Sequence, residues 1–185
     1  VPETDGSWSF SNMRKANYAL ASIERIDATP AAKNHWRGVA RFFRACYYSN
    51  LVFRYGDVPW YDRVPKLSSS KEDMDYLYKD RDPRAYVDSC IMADFQYAMD
   101  SVRENDGALQ VNRYVVAAMA SRLMLREGTF LKYHNIDTEL AKKCLTMAKT
   151  AAELVMKSNK YAIAPSYKAL FTSEDLGSNP EIIMH

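Results

Sequence analysis

The positions of the seven prolines constrain the fold of this chain more than any other feature of its sequence. Proline has no backbone N–H and its ring clashes with the preceding helical turn, so helices tolerate it only in their first turn. Every proline here lies outside the segments with a helical apolar period, or in the first turn of one. Segments with a strand pattern are scarce. The sequence therefore predicts a succession of helices separated by proline- and glycine-bearing connections.

Five segments repeat apolar residues at steps of three and four, which places those residues on one face of a helix. The predicted helices cover residues 11–26, 31–55, 82–102, 112–128 and 137–155. Asp82, followed by Pro83, is predicted to cap the third helix. Gly128 is predicted to end the fourth, because glycine is common just after a helix.

The second predicted helix carries two stripes that need separate interpretations. One stripe is apolar, and its aromatic members Trp36, Phe43 and Tyr47 are interpreted as core residues. The other stripe is basic and consists of Lys33, Arg37, Arg41 and Arg44. A basic helix face is usually solvated or packs through its aliphatic stems, and binding to an anionic partner is the alternative.

The order of the predicted helices favours a repeat architecture. Helices two and three, and then helices four and five, are expected to form antiparallel hairpins, which are the unit of helical-repeat proteins. The sequence thus predicts an all-α, tetratricopeptide-like superhelix over residues 1–185, without an internal domain boundary and with a long inserted loop at 57–82. Residues 167–171 are predicted to form a further helical turn. An apolar strand is predicted to begin at 179–183, and since a lone strand is unstable, the chain is expected to be part of a longer polypeptide.

Charge and motif content exclude several classes of protein. The 25 Lys and Arg against 23 Asp and Glu give a net charge of +2, too little for a nucleic-acid-binding surface. The three cysteines have neither CxxC spacing nor a nearby histidine, so neither a metal site nor a disulfide framework is predicted. No nucleophile motif, phosphate loop or convergent carboxylate pair is present, so neither a catalytic residue nor a cofactor is predicted.

Aromatic residues are the remaining candidates for a binding function. The chain contains 13 Tyr, 7 Phe and 3 Trp. Aromatic rings stack on the apolar C–H faces of sugars, and Tyr and Trp retain a polar group for hydrogen bonding. The rings are dense in and just before the long loop, where Trp60 and Tyr61 are the candidate ligand-binding residues. The alternative is that these rings fill gaps between the helices.

Several segments follow, in order, the patterns of one known family. RGVARFFRACYYSNL at residues 37–51 and YGDVP at 55–59 are similar to the family pattern R-x-x-R-A-x-x-Y-x-x-L-x-x-x-Y-G-D-V-P. Further similar segments are RKANYAL at 14–20, AAMASRLML at 117–125, SNKY at 158–161, YKALF at 167–171 and NPEII at 179–183. In this joint order the chain resembles the SusD/RagB outer-membrane lipoproteins.

The resemblance implies a fold, a location and a partner. It implies a tetratricopeptide-like scaffold from the early part of a longer protein, anchored in the outer membrane through a lipidated cysteine upstream of residue 1. It also implies non-catalytic capture of an oligosaccharide or other nutrient at the cell surface, for delivery to a TonB-dependent, SusC-like transporter. This segment would supply scaffold and a transporter-facing surface. No ligand-contacting residue transfers position by position, because those loops lie mostly outside this segment.

Two alternative functions are kept beside this one. The first is a helical-repeat adaptor that binds only protein partners, with all of its aromatic residues in the core. The second is an α-helical enzyme acting on glycans, which would need two carboxylates facing each other across a cleft.

Overall fold

Helices account for all of the regular structure in the described part of the chain. The computed structural model describes residues 9–66, 70–105, 107, 109–172, 174, 177 and 179–184. The helices of these residues are α1 (Ser11–Ile23), α2 (Pro30–Tyr55), α3 (Lys71–Leu77), α4 (Arg84–Ser101), α5 (Arg113–Tyr133), α6 (Thr138–Lys157) and α7 (Tyr167–Thr172). One isolated antiparallel bridge joins Val58 to Asp82. The predicted all-α fold class is confirmed, and the long loop contains α3, which the sequence did not predict.

The helices pack as two antiparallel hairpins, as predicted. α2 packs against α4 in the first hairpin, and α5 packs against α6 in the second. Contacts between α4 and α5 join the two hairpins, and α1 covers part of α2. The core lies between these helices. Its largest fully buried apolar side chains are Tyr48, Phe95, Ile91, Met124 and Leu131.

Short polar side chains fix the beginnings of the long helices. Asn112 accepts hydrogen bonds from the first N–H groups of α5, and Asp137 accepts one from Leu140 N in α6. The prediction that Asp82 caps α4 is wrong. The carboxylate of Asp57 instead accepts the hydrogen bond from Arg84 N, at 2.8 Å. Asp82 turns to the inserted loop and accepts from Trp60 N at 2.7 Å.

Gly128 lies within α5 and does not end it. The helix continues to Tyr133, and Gly128 lies where α5 packs tightly against α6. A Cβ atom at this position would lie 2.8 Å from Leu145 Cγ and 3.1 Å from the carbonyl oxygen of Ala141. The backbone oxygen cannot move away without shifting α6. The glycine is therefore required by helix packing.

The variant Gly128→Val is expected to lower the free energy of unfolding by about 1–3 kcal/mol, because overpacking a close helix contact displaces backbone. Urea unfolding followed by circular dichroism measures this loss. Leu125→Ala, on the same helix at a side chain that is 52% exposed, is the matched control and should change stability little. Equal stabilities of Gly128→Val and the wild type would contradict the packing role.

The end of the described chain differs from the prediction. Residues 167–172 form α7 as expected, but the strand predicted at 179–183 is wrong for the described residues 179–184. The side chain of Asn179 accepts a hydrogen bond from Glu181 N at 3.0 Å, and its carbonyl accepts one from Ile182 N at 3.2 Å. These local bonds bend the backbone into a turn. A backbone bond from Ala162 N to Pro180 O, and a bond from Ala164 N to the Glu181 carboxylate at 2.6 Å, tie this turn to the chain after α6.

Candidate binding site

Both ligand-binding residues predicted from the sequence lie in one irregular segment after α2. Gly56 ends α2 with a φ of +72°, a conformation that glycine adopts without strain. The chain then continues through residues 57–66, here called the Trp60 segment. Side chains of α1 and α2 and a backbone N–H at the start of α4 form hydrogen bonds with this segment.

The structure places Trp60 in the core. Its side chain is only 6% exposed, and its ring lies 4.2 Å from the ring of Tyr48, centroid to centroid. The guanidinium carbon of Arg44 lies 5.1 Å from the Trp60 ring centroid. Because its faces are covered by protein, Trp60 contributes packing and does not offer a ring face to a ligand.

Tyr61 lies beside a cavity. Its ring meets Phe10 and Tyr76 edge to face, with centroids 5.5 Å and 5.4 Å away. Its hydroxyl donates a hydrogen bond to Leu77 O at 3.0 Å. Burial, reinforced by the nearby Asp82 carboxylate, raises the pKa of Tyr61. The phenol therefore stays neutral and keeps its proton for donation.

The Tyr61 cavity has a volume of about 450 Å³ and combines apolar and hydrogen-bonding groups. Its walls include Phe10, Met13, Arg14, Tyr61, Arg63 and Leu77. Arg63 stacks on Tyr76, with its guanidinium carbon 4.1 Å from the ring centroid, and pairs with Asp73 at 3.4 Å. Rings beside guanidinium donors suit a neutral polyhydroxylated ligand, which has apolar C–H faces and hydroxyl acceptors.

Arg14 and Arg63 were not predicted as site residues. They come from different elements and lie far apart in the sequence, so no local pattern links them. Tyr61 was predicted from aromatic density alone. Only the position of α1 beside the Trp60 segment brings the three side chains to one cavity.

Arg44 was predicted to lie on a basic helix face, but the structure shows it buried. It is 5% exposed and binds Asp94 of α4 through two hydrogen bonds, of 2.7 Å and 2.9 Å. It also donates to the side chain of Asn17 at 2.7 Å and to Asp62 O at 3.1 Å. Asn17 in turn donates to Tyr61 O at 2.8 Å. This Arg44 network joins α1, α2 and α4 to the Trp60 segment.

The rest of the basic stripe is paired within the chain. Arg37 binds Glu24 through Nε at 2.8 Å, and the Arg41 guanidinium stacks on Tyr97 at 4.2 Å from the ring centroid. Lys33 donates to Glu24 O at 3.3 Å. The stripe therefore supports packing, which is the interpretation that the sequence favoured, more than it supports an anionic partner.

The aromatic stripe of α2 is less buried than predicted. Trp36 is 44% exposed and Phe43 is 40% exposed, so their assignment to the core is wrong, whereas Tyr47 is half-buried. α1 covers only one side of this stripe and leaves an open apolar channel of about 520 Å³, here called the α1–α2 groove. Its α1 side contains small residues, including Ala16 and Ala19.

Among the described residues, no cluster of three or more His, Cys, Asp or Glu side chains has a geometry that would hold a metal ion. No helix in the described part of the chain combines the length and hydropathy needed to cross a bilayer.

Several solved structures are similar to this chain in fold. A SusD-like protein from Bacteroides fragilis NCTC 9343 superposes with a TM-score of 0.72 at 20% sequence identity, over 92% of this chain and 30% of that protein. A laminarin-binding SusD-like protein gives 0.73 at 16% identity, over 96% and 36%. A structure determined with xylogluco-oligosaccharide gives 0.68 at 19% identity, over 94% and 33%. The chain has the SusD-like fold.

This chain spans about a third of the length of those SusD-like structures. No protein-family model and no curated protein sequence matches it. The likeness confirms, at the level of the fold, the SusD/RagB resemblance found in the sequence segments.

The segments that carried the resemblance build the scaffold of the SusD-like fold. In RGVARFFRACYYSNL, Arg44 and Tyr48 are the buried side chains that contact the Trp60 segment. In RKANYAL, Asn17 contacts the same segment from α1. In YGDVP, Gly56 ends α2 and Asp57 caps α4. Arg44, Tyr48, Asn17 and Asp57 therefore act through hydrogen bonds within the scaffold, and Gly56 acts through its positive φ.

Proposed function

We propose that this chain is part of a non-catalytic SusD/RagB-type protein that binds an oligosaccharide or other nutrient at the cell surface. The SusD-like fold carries the proposal, and one structure with that fold is described as laminarin-binding while another was determined with xylogluco-oligosaccharide. The Tyr61 cavity is compatible with such a ligand, because it places aromatic rings beside hydrogen-bond donors. In this proposal Tyr61 contacts the ligand and Trp60 supports it from the core.

The proposal includes delivery of the ligand to a TonB-dependent, SusC-like transporter in the outer membrane, with a lipid anchor upstream of this segment. The helices described here would supply the scaffold and a transporter-facing surface. The α1–α2 groove supports that role, because exposed Trp36 and Phe43 form an apolar surface of the kind that marks protein contacts.

A catalytic role finds little support in the position of the carboxylates. Asp88 and Glu127 come close together in space, on α4 and α5, but both are fully buried. A glycoside hydrolase needs two carboxylates that flank a substrate in a cleft. This pair is closed to substrate, so binding without turnover is the proposed activity.

Isothermal calorimetry of the purified protein against laminarin, xyloglucan and starch oligosaccharides, and against peptides, tests the proposal. We expect heat with at least one glycan and no turnover of the bound ligand. Tyr61→Ala should weaken binding about tenfold, the loss of roughly one aromatic contact. Tyr61→Phe keeps the ring and should retain most of the affinity.

The exposed Tyr18 of α1 provides the matched control, because Tyr18→Ala removes a ring that is 59% exposed and does not line the Tyr61 cavity. Its affinity should equal that of the wild type. If Tyr61→Ala binds a glycan as tightly as the wild type, the cavity is not the ligand site, although the proposal of glycan binding would stand. Hydrolysis of a bound glycan would contradict the non-catalytic proposal itself.

The helical-repeat adaptor is the second candidate, and the α1–α2 groove is the observation that favours it. An adaptor would give no heat with any glycan in the panel. It would instead bind a protein partner, and Trp36→Ser in the groove would abolish that binding. If a glycan gives the same heat of binding with Trp36→Ser as with the wild type, the protein is not an adaptor that binds only protein.

A further inference from the structure

Two carboxylates lie in the core between the two helical hairpins. In the described part of the chain, only one of them forms hydrogen bonds with basic side chains. Asp88 of α4 and Glu127 of α5 are both 0% exposed. Glu127 accepts hydrogen bonds on both oxygens, from Arg84 Nη2 at 2.5 Å and from Arg126 Nε at 2.9 Å. Two guanidinium groups therefore pair with Glu127 through charge-assisted hydrogen bonds.

Asp88 has no such partners. Neither of its carboxyl oxygens has a hydrogen-bond partner in the described part of the chain. The nearest cationic atom is Arg84 Nε, at 3.7 Å, which is beyond hydrogen-bond distance. Arg84 donates to Glu127 through Nη2, while its Nε has no hydrogen-bond partner in the described part of the chain. Its guanidinium lies over the Phe130 ring, 3.6 Å from the centroid. The ring limits how far that guanidinium can turn toward Asp88.

Among the described residues, the other helices bring one further cation near Asp88, Arg126, and its guanidinium is already bonded elsewhere. From α5 the charged neighbours are Glu127 and Arg126, and Arg126 also donates to Ser49 O of α2 at 2.6 Å. From α6 the titratable neighbour is Cys144, which is fully buried. Burial raises the pKa of that thiol to about 12, so it is neutral. An ionised Asp88 would therefore be a buried charge with no hydrogen bond, which is strongly unfavourable.

We propose that Asp88 is a proton-binding site, whose carboxyl is neutral in the folded protein under acidic conditions and whose ionisation loosens the packing of α4 against α5. Burial is the main cause, and the charge of Glu127 adds to it. Together they raise the pKa of Asp88 from 3.8 to about 7, against the opposing effect of Arg84 and Arg126. The stability of the two-hairpin core is then linked to pH.

The direction in which stability changes with pH depends on how many protons the folded and unfolded states bind. Between pH 4 and pH 7 the folded protein retains a proton on Asp88 that the unfolded chain has released. Asp88 therefore makes the folded state less stable as pH rises through this interval, and its effect levels off above about pH 7. This is the opposite of an ion-paired aspartate, whose contribution increases as pH rises.

Thermal unfolding of the purified protein between pH 5 and pH 8.5 tests the proposal, with Asp88→Asn as the variant that cannot ionise. The expected result is that the Tm of Asp88→Asn, relative to the wild type, rises by about 5–15 °C across this range. Asp100→Asn, an exposed position on the same helix, is the matched control and should follow the wild-type profile. Parallel pH profiles of the wild type and Asp88→Asn would overturn the proposal.

Infrared spectroscopy provides a readout that does not depend on stability. At pH 5.5 the folded wild type should show the C=O band of a buried protonated carboxyl group. The band should disappear above pH 8 and be absent from Asp88→Asn at pH 5.5. A folded wild type without this band at pH 5.5 would show that Asp88 is ionised, and the proposal would be wrong.

Discussion

Replacing Arg44 with leucine is expected to lower the free energy of unfolding by about 3–5 kcal/mol. The substitution leaves Asp94, which is 2% exposed, without its two short hydrogen bonds. It also removes the donors to Asn17 and to Asp62 O. A buried carboxylate without its partner is the main source of the loss. Urea unfolding followed by circular dichroism measures it.

Two variants show whether the loss arises from the buried pair. Arg37→Leu removes an arginine of the same helix whose partner, Glu24, is largely exposed, and should have little effect because exposed ion pairs contribute little. The double variant Arg44→Leu/Asp94→Leu should be more stable than Arg44→Leu, since no unpaired charge remains. A double variant that is less stable than Arg44→Leu would indicate that Arg44 acts mainly through the Trp60 segment.

Replacing Tyr48 with phenylalanine is expected to lower the free energy of unfolding by about 2–4 kcal/mol. The Tyr48 ring is fully buried and would remain, but two backbone groups would lose their hydrogen-bond partner. The hydroxyl accepts from Tyr61 N at 2.6 Å and donates to Pro59 O at 3.3 Å. Burial raises the pKa of this phenol, so it keeps its proton and remains a donor at neutral pH.

Tyr47→Phe is the matched control for Tyr48→Phe, because it removes a hydroxyl from the adjacent, half-buried position on α2. Its stability should be close to that of the wild type. Limited trypsin digestion adds a local measurement, since loss of the Tyr48 hydroxyl should speed cleavage after Arg63. Unchanged cleavage together with unchanged stability would show that the hydroxyl does not hold the segment.

Periodicity was sufficient to predict the long helices and their pairing, because each of them buries one continuous face. It could not decide features that depend on a neighbouring element. The sequence does not distinguish a glycine that ends a helix from one that allows two helices to pack closely. Only the position of α6 shows that Gly128 has the second role. Asp57 and Asp82 are equally suitable caps for α4, and the path of the Trp60 segment selects Asp57.

The candidate site was less predictable than the fold. Aromatic density pointed to the segment that lines the Tyr61 cavity, but it could not tell a buried ring from an accessible one, so it gave Trp60 and Tyr61 equal weight. Their difference arises from alternation along the segment, with Trp60 directed to Tyr48 and Tyr61 to Phe10. The exposure of Trp36 and Phe43 depends on how much of α2 is covered by α1, and this does not follow from the sequence of either helix.

The way in which the Trp60 segment is held affects how freely its side chains can vary. Its anchors bind mainly main-chain atoms, namely Pro59 O, the amides of Trp60 and Tyr61, and the carbonyls of residues 61–63. Exchange of the side chains at Tyr61 or Arg63 therefore leaves these bonds intact. The backbone path can stay constant while the chemistry that it presents diversifies, much as an antibody framework carries variable loops.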